Sequence, residues 1–173
     1  MGRAKIMEEG HFRSEYEQVS GQLYTFLLRT LGDPDLASDI LQEAAYRAYR
    51  SRNQFRGDSS FKTWIYRIAV NTMKNHWVRS NRERKWFDEV LDTQSVETPS
   101  PERIVFGKES TSRLSQALMM LEEGYRAPFM LKHVDGLSYS EISQVLDIAE
   151  NNARVRVHRA RNALRRLLRE DVS

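Results

Sequence analysis

The sequence predicts an all-α protein: two small helical domains joined by a flexible acidic linker, the second ending in a helix-turn-helix. Three observations carry this. Apolar residues recur at steps of three and four along most of the chain, the period of helices packed on one face, and strand-like alternation is scarce. Two of the four prolines share Thr98-Pro99-Ser100-Pro101, where each holds the preceding residue away from helix. Charge comes in blocks: residues 47–85 carry eleven Lys or Arg against Asp58 and Glu83, whereas residues 86–102 carry five acids and no Lys or Arg.

The first domain is expected over 10–90. His11 to Leu31 reads as a helix with Phe12, Tyr16, Val19, Leu23, Phe26 and Leu27 on one side. Gly32-Asp33-Pro34-Asp35 breaks it, with Asp33 placed to cap the next helix and Pro34 suited to its first turn. Leu36 to Arg52 follows, with Leu36, Ile40, Ala44 and Ala48 in line. Asn53 to Ser60 is a loop around Arg56-Gly57-Asp58, and Asp58 or Ser59 is the expected cap of a third helix from Phe61 to Arg84. The linker is expected over 91–107. The second domain, 108–170, begins with a helix through Leu114, Ala117, Leu118 and Leu121. A second helix covers Arg126 to Val134 and stops at Asp135-Gly136, with Pro128 tolerable only in its first turn.

The last quarter carries the strongest functional signal. Ser138-x-x-Glu141 is a capping box opening a short helix to Leu146. After the turn Asp147-Ile148-Ala149-Glu150 comes a long helix to Leu168, with Asn151 and Asn152 as its expected caps. Seven Arg and no acid lie between Asn151 and Arg169. Ala153, Val157, Ala160, Leu164 and Leu167 form one face, and Arg154, His158, Arg161 and Arg165 form an adjacent cationic stripe. A helix packed on one side and cationic on another, presented after a tight turn, suits a DNA major groove. A solvated Arg-rich surface is the plainer reading of the same pattern.

The segment Phe55 to Thr72 is dense in aromatics and cations, the composition that stacks on unpaired bases and neutralises phosphates. Phe61, Trp64, Ile65 and Ile68 lie at core spacing. Phe55, in the loop, and Asn71, polar in mid-helix, are better placed to touch a base.

Composition narrows the classes further. There is no Cys, which excludes disulfides and Cys-ligated zinc and fits a reducing cytoplasm. The four His are scattered without ligand spacing, so no metal or cofactor is expected. No apolar run is long enough for a bilayer, and the first ten residues lack the apolar core of a signal peptide, so a soluble cytoplasmic protein is expected. No nucleophile triad, Gly-rich phosphate loop or paired-carboxylate motif appears, and no enzymatic role is expected. The net charge of +3 with a pI of about 9.3, unevenly distributed, points to a polyanion partner.

Asp39-Ile40-Leu41-Gln42-Glu43-Ala44, then Phe55-Arg56-Gly57-Asp58 with Phe61-Lys62-Thr63-Trp64-Ile65-Tyr66-Arg67-Ile68-Ala69-Val70-Asn71, then Gly136-Leu137-Ser138-Tyr139-Ser140-Glu141-Ile142 with His158-Arg159-Ala160-Arg161, resemble the bacterial extracytoplasmic-function sigma factors of the sigma-70 family. The resemblance covers nearly the whole chain in order. It implies a factor that binds core RNA polymerase, recognises −35 duplex and −10 single strand, and promotes DNA opening. It places Asp39, Gln42 and Glu43 on the core polymerase. It places Phe55 and Asn71 around a flipped-out −10 base, with Arg67, Lys74 and Arg79 along the opened strand. Asn152, Arg154, Arg156, His158, Arg159 and Arg161 fall on the −35 recognition helix. An anti-sigma factor is an expected partner. The chain departs from the family at Leu121-Glu122, where Leu-Pro is usual, at Asn151-Asn152-Ala153, where Gly-Thr-Val is usual, and at Asn75, where many members carry Asp. A stand-alone helix-turn-helix regulator of duplex DNA and a helical adaptor without DNA are the alternatives the residues leave open.

Overall fold

The computed structural model describes residues 7–79 and 113–170. The expected linker and the expected extension of the third helix to Arg84 lie outside them. Among the described residues there are seven α-helices and no strand: α1 (Glu9–Leu31), α2 (Pro34–Ser51), α3 (Phe61–Arg79), α4 (Arg113–Met120), α5 (Glu123–His133), α6 (Tyr139–Leu146) and α7 (Glu150–Glu170). A single 3-10 turn, Arg52–Gln54, closes α2.

The first three helices form one unit. α1 ends because Gly32 adopts φ 70, returning its N–H to the Leu28 carbonyl at 2.8 Å. That left-handed conformation costs glycine almost nothing. Asp33 then caps α2 as expected, accepting from the N–H groups of Asp35 at 3.0 Å and Leu36 at 3.1 Å. Pro34 occupies the first helical turn, where no N–H partner is lost. For α3 the cap is Ser60 rather than Asp58 or Ser59: its Oγ accepts from the Thr63 N–H at 3.1 Å. The hydroxyl two residues later than Asp58 has the right reach to the third helical residue.

Aromatic rings tie these helices together. Phe12 packs edge-on against Tyr49 of α2 at 5.6 Å and Phe61 of α3 at 5.7 Å between centroids. Leu23, Phe26, Leu27, Ile40, Ile65 and Met73 are fully buried beneath them, each contributing about 2 kcal/mol by removal from water.

The last four helices form the second unit. α5 starts at Glu123, three residues earlier than the sequence pattern suggests, so Pro128 stands in its second turn. The chain accepts one missing hydrogen bond there, to the carbonyl of the buried Gly124. The Ser138–Glu141 capping box is present in full, with the Ser138 N–H on Glu141 Oε2 at 2.8 Å and the Glu141 N–H on Ser138 Oγ at 3.2 Å. The backbone bond holds the Glu141 carboxyl below its ordinary 4.5. Asp147 takes φ 58 to end α6, and Ser143 Oγ donates to the Ile148 carbonyl at 2.7 Å, tightening the turn into α7. α7 begins at Glu150, so Asn151 and Asn152 lie inside its first turn rather than capping it. The Ala149 carbonyl accepts the first helical bond, from Ala153 N–H at 3.1 Å.

The two units pack on each other into one continuous core, through α3 against α6 and α1 against α4 and α5. Arg126 is the buried tie between them. Its guanidinium donates to the carbonyls of Leu118 (2.8 Å), Met119 (2.8 Å) and Leu121 (2.7 Å), which end α4, and to that of Thr30 in α1 (2.7 Å). A cation at a helix C-terminus also meets the negative end of the helix dipole.

Arg126→Met, which keeps the apolar stem and deletes the donors, is expected to lower stability by about 3 kcal/mol, because several carbonyls lose charge-assisted bonds at once. Chemical denaturation of the two proteins checks this; a change below about 1 kcal/mol is inconsistent with the role assigned to the guanidinium.

Candidate nucleic-acid and polymerase interface

Three surfaces emerge, one on each of α2, α3 and α7. On α2, Asp39 and Gln42 are exposed, and Glu43 is half-buried and ion-paired with Arg47 one turn on. The helical step carries the same stripe to Tyr46, 60% exposed, whose hydroxyl accepts from Arg50 Nη1 at 3.1 Å. Sequence reading missed Tyr46. Its signal was the spacing from Asp39 and Gln42, on the face opposite the buried Ile40, Ala44 and Ala48.

On α3, Arg67 and Asn71 are exposed one turn apart, and Arg79 ends the described helix. Lys74 continues the stripe but is half-buried, with Nζ donating to the Leu146 carbonyl at 3.0 Å. Burial lowers the Lys74 pKa, and Arg156 and Arg67 push the same way against the pull of Asp147. Phe55 is half-buried at the mouth of the 3-10 turn, its ring 5.0 Å from Trp64 and 6.1 Å from Phe61. It therefore plugs the aromatic cluster and shows one side at the surface beside α3. Exposed Asn75, noted above as a departure from the family, and Val78, 79% exposed and not singled out by the sequence, extend the α3 stripe.

On α7 the expected contact residues divide. Arg154, His158, Arg159 and Arg161 are exposed along one side. Arg154 is held by Glu150 at 2.6 Å and lies over the Tyr139 ring at 4.6 Å, which orients the guanidinium outward from the turn. Arg161 Nη2 lies 3.1 Å from His158 Nδ1. On the other side of the ring Asn162 Nδ2 lies 3.1 Å from Nε2, so the imidazole is flanked by two nitrogen donors. Arg156 is different: it is 1% exposed, its Nε donating to Asn152 Oδ1 at 2.7 Å, and Asn152 is half-buried. The structure thus removes Arg156, and part of Asn152, from the outward face expected for them. The physical reason is register: Ala153, Arg156, Val157 and Ala160 share the buried side of α7. Exposed Asn151 and Val155, 38% exposed, take their place on the outer face.

The described residues hold no group of three or more His, Asp or Glu fit for a metal ion. None of the described helices is long and apolar enough to cross a membrane.

Comparison with known proteins matches these units to named regions. Sigma-70 region 2 matches residues 16–83, and sigma-70 region 4 matches residues 111–164. The RNA polymerase sigma-H factor of Pseudomonas aeruginosa is 36% identical over 152 residues, covering 82% of this chain and 78% of that protein. The ECF RNA polymerase sigma-E factor of Escherichia coli is 37% identical over 134 residues, 73% of this chain and 70% of the other. Among solved structures, the sigma factor RpoE in complex with the anti-sigma factor NepR from Bartonella quintana superposes with a TM-score of 0.72 at 26% identity, over 91% of this chain and 96% of that one. CnrH in complex with the cytosolic domain of CnrY shares the fold, with a TM-score of 0.66 at 22% identity over 95% and 91% of the two chains. With both regions matched in order on the two helical units, the chain belongs to the extracytoplasmic-function group of the sigma-70 family.

Proposed function

We propose that this chain directs core RNA polymerase to promoters through three separate faces: α2 on the polymerase, α3 on the −10 strand and α7 on the −35 duplex. The observation that carries this division is the pairing of each matched region with an exposed stripe of suitable chemistry. The stand-alone regulator accounts for α7 only and leaves the α3 stripe without a task.

On α7, Arg154, His158, Arg159 and Arg161 are the DNA-facing set, with Asn151 and Val155 beside them. Arginine forks suit guanine edges and phosphates, and an apolar side chain suits a thymine methyl. Arg156 and Asn152 then act by fixing the helix rather than by touching DNA. On α3, Asn71 and Phe55 meet an extruded −10 base, while Arg67, Lys74 and Arg79 follow the phosphates. On α2, the Asp39, Gln42 and Glu43 face docks on a basic polymerase element, with Tyr46 adding apolar area. The domain limits 10–90 and 108–170 fit the two matches. No covalent chemistry is assigned to the chain, no cofactor is required, and it works in the cytoplasm. The similarity to a sigma factor bound by NepR supports an anti-sigma partner.

Size-exclusion chromatography with core polymerase tests the reading as a whole: co-elution at equal stoichiometry, displaced by another sigma factor, is the expected result. Three variants test the faces. Asp39→Ala with Gln42→Ala should weaken binding in a titration against core polymerase about tenfold, the effect of losing about 1.4 kcal/mol. Arg154→Ala should cost about 1–3 kcal/mol of promoter affinity, loss of a bidentate contact; equal loss on promoters altered at every −35 position would show a phosphate contact instead. Asn71→Ala should reduce permanganate reactivity of −10 thymines while leaving duplex binding nearly unchanged, and full reactivity would remove Asn71 from the base pocket.

A further inference from the structure

We propose that Asn151 reads an adenine in the major groove of the −35 element, and so sets a base preference that relatives opening this helix with glycine cannot share through the same position. This rests on the assignment of α7 to the −35 duplex. Glycine has no side chain, so the contact belongs to this chain's own residue and not to the pattern usual in the family.

Asn151 stands on the midline of the outward face of α7. Each residue advances about 100° around a helix, so Asn151, His158 and Asn162 fall within about 40° of one line. The fully buried Ala160 is about 180° away from Asn151. Val155 lies about 40° to one side of Asn151 and Arg154 about 60° to the other. All five of these outward residues are exposed, and Asn151 alone among them lies in the first turn, ahead of Arg154 and Val155. The N-terminal residues of a recognition helix are the ones that reach base edges. The neighbouring Asn152 shows the other register. It is half-buried, and its Oδ1 accepts from Arg156 Nε at 2.7 Å. Two identical side chains thus divide, one holding the helix and one facing out.

The other outward side chains are committed or chemically limited. His158 has Arg161 Nη2 at 3.1 Å from Nδ1 and Asn162 Nδ2 at 3.1 Å from Nε2, so both ring nitrogens already face protein groups. Val155 has no polar side-chain atom to offer a base. Arg154 is paired with Glu150 at 2.6 Å and lies over the Tyr139 ring, and a guanidinium can only donate. The Asn151 amide makes no hydrogen bond among the described residues. It carries an acceptor and a donor side by side. Adenine offers the matching pair in the major groove, the N7 acceptor beside the N6 amino donor. Guanine offers two acceptors there, which suits the fork of Arg154 and leaves the amide oxygen of Asn151 unmet. The amide therefore selects adenine, one helical turn before the arginine.

The test uses the full chain assembled with core polymerase, and reads its affinity for a target promoter with each −35 base pair exchanged in turn. The parent should favour adenine, on one strand or the other, by about tenfold at one position. Asn151→Gly should erase that preference and leave those at the other positions. At the same adenine, 7-deazaadenine lacks the N7 acceptor and purine lacks the amino group. Each should weaken the parent several-fold and leave Asn151→Gly unaffected. Asn151→Asp decides the matter if glycine disturbs the start of the helix. It keeps the side-chain shape, and a carboxylate accepts from cytosine N4, so the preference should move from adenine to cytosine at that position. Variants that keep the parent's preference everywhere, or that lose affinity equally for every base, overturn the proposal. So does an erased preference for a base other than adenine. A parent that discriminates among −35 bases, and loses this with Arg154→Ala but not with the Asn151 variants, upholds α7 and removes Asn151. A parent that discriminates at no −35 position removes both assignments.

Discussion

Everything in this molecule depends on α3 being packed from two sides. Its inner face, Ile65, Ala69 and Met73, completes the first unit against α1 and α2. A second face, carrying Lys62, Thr63, Tyr66 and Lys74, receives α6 and the Asp135 loop before it. Among the described side chains, Arg67, Asn71, Asn75 and Val78 form the solvent-facing stripe, with His76 also exposed near the end of the helix. A helix has room for about three such faces, so along the packed part of α3 a nucleic-acid role falls to that stripe or competes with the seam between the units. The buried Tyr66 shows the competition chemically. Its hydroxyl lies next to a carboxylate, and burial together with Asp135 drives its pKa far upward, so it remains a donor at any ordinary pH.

The seam mixes apolar and polar contacts, and the mixture decides how it can part. Burial raises the Asp135 carboxyl above its ordinary range, against the opposing pull of Tyr66, Lys62 and Arg29. An acid whose pKa is raised on folding contributes more to stability below its unfolded value of 3.8 than above it. Arg126 works differently. Its partners are backbone carbonyls of α4 and α1, so parting there leaves the Thr30 carbonyl to be rehydrated. Opening along α3 and α6 needs Thr30 to exchange Arg126 for water, and the three α4 bonds can persist within the second unit.

The helices were legible in sequence because their apolar period and their breakers are local. Asp33-Pro34, Ser138 with Glu141, and Gly32 each act on residues three or four positions away, and each acts in the structure as its local chemistry predicts. The caps of α3 and α7 were misplaced for an equally local reason: several adjacent polar residues compete, and a shift of one or two decides which oxygen reaches the third N–H. The site was legible as residue types but not as registers. Arg156 and Arg154 look alike in a string of seven arginines, yet two positions on a helix are about 200° apart, so one faces the core and the other Tyr139 and solvent. Phe55 looked like a free ring because its loop is polar, while its partners Phe61 and Trp64 lie a helix-start away. Nothing local announces the pairing of Tyr66 with Asp135, sixty-nine residues on.

The Arg156 position also bears on the unusual start of α7. A small Ala153 in place of a β-branched residue leaves the inner face of the first turn less filled, and it is fully buried. The Arg156 stem covers apolar surface one turn later, and its Nε is met by Asn152, which stands where the family usually has Thr. The three departures at Asn151, Asn152 and Ala153 are therefore not independent. Asn152 and Ala153 belong to the support of Arg156, and Asn151 alone is left exposed at the helix start. A change in −35 preference relative to relatives with Gly-Thr-Val should therefore trace to Asn151 directly and to the other two through the pose of α7.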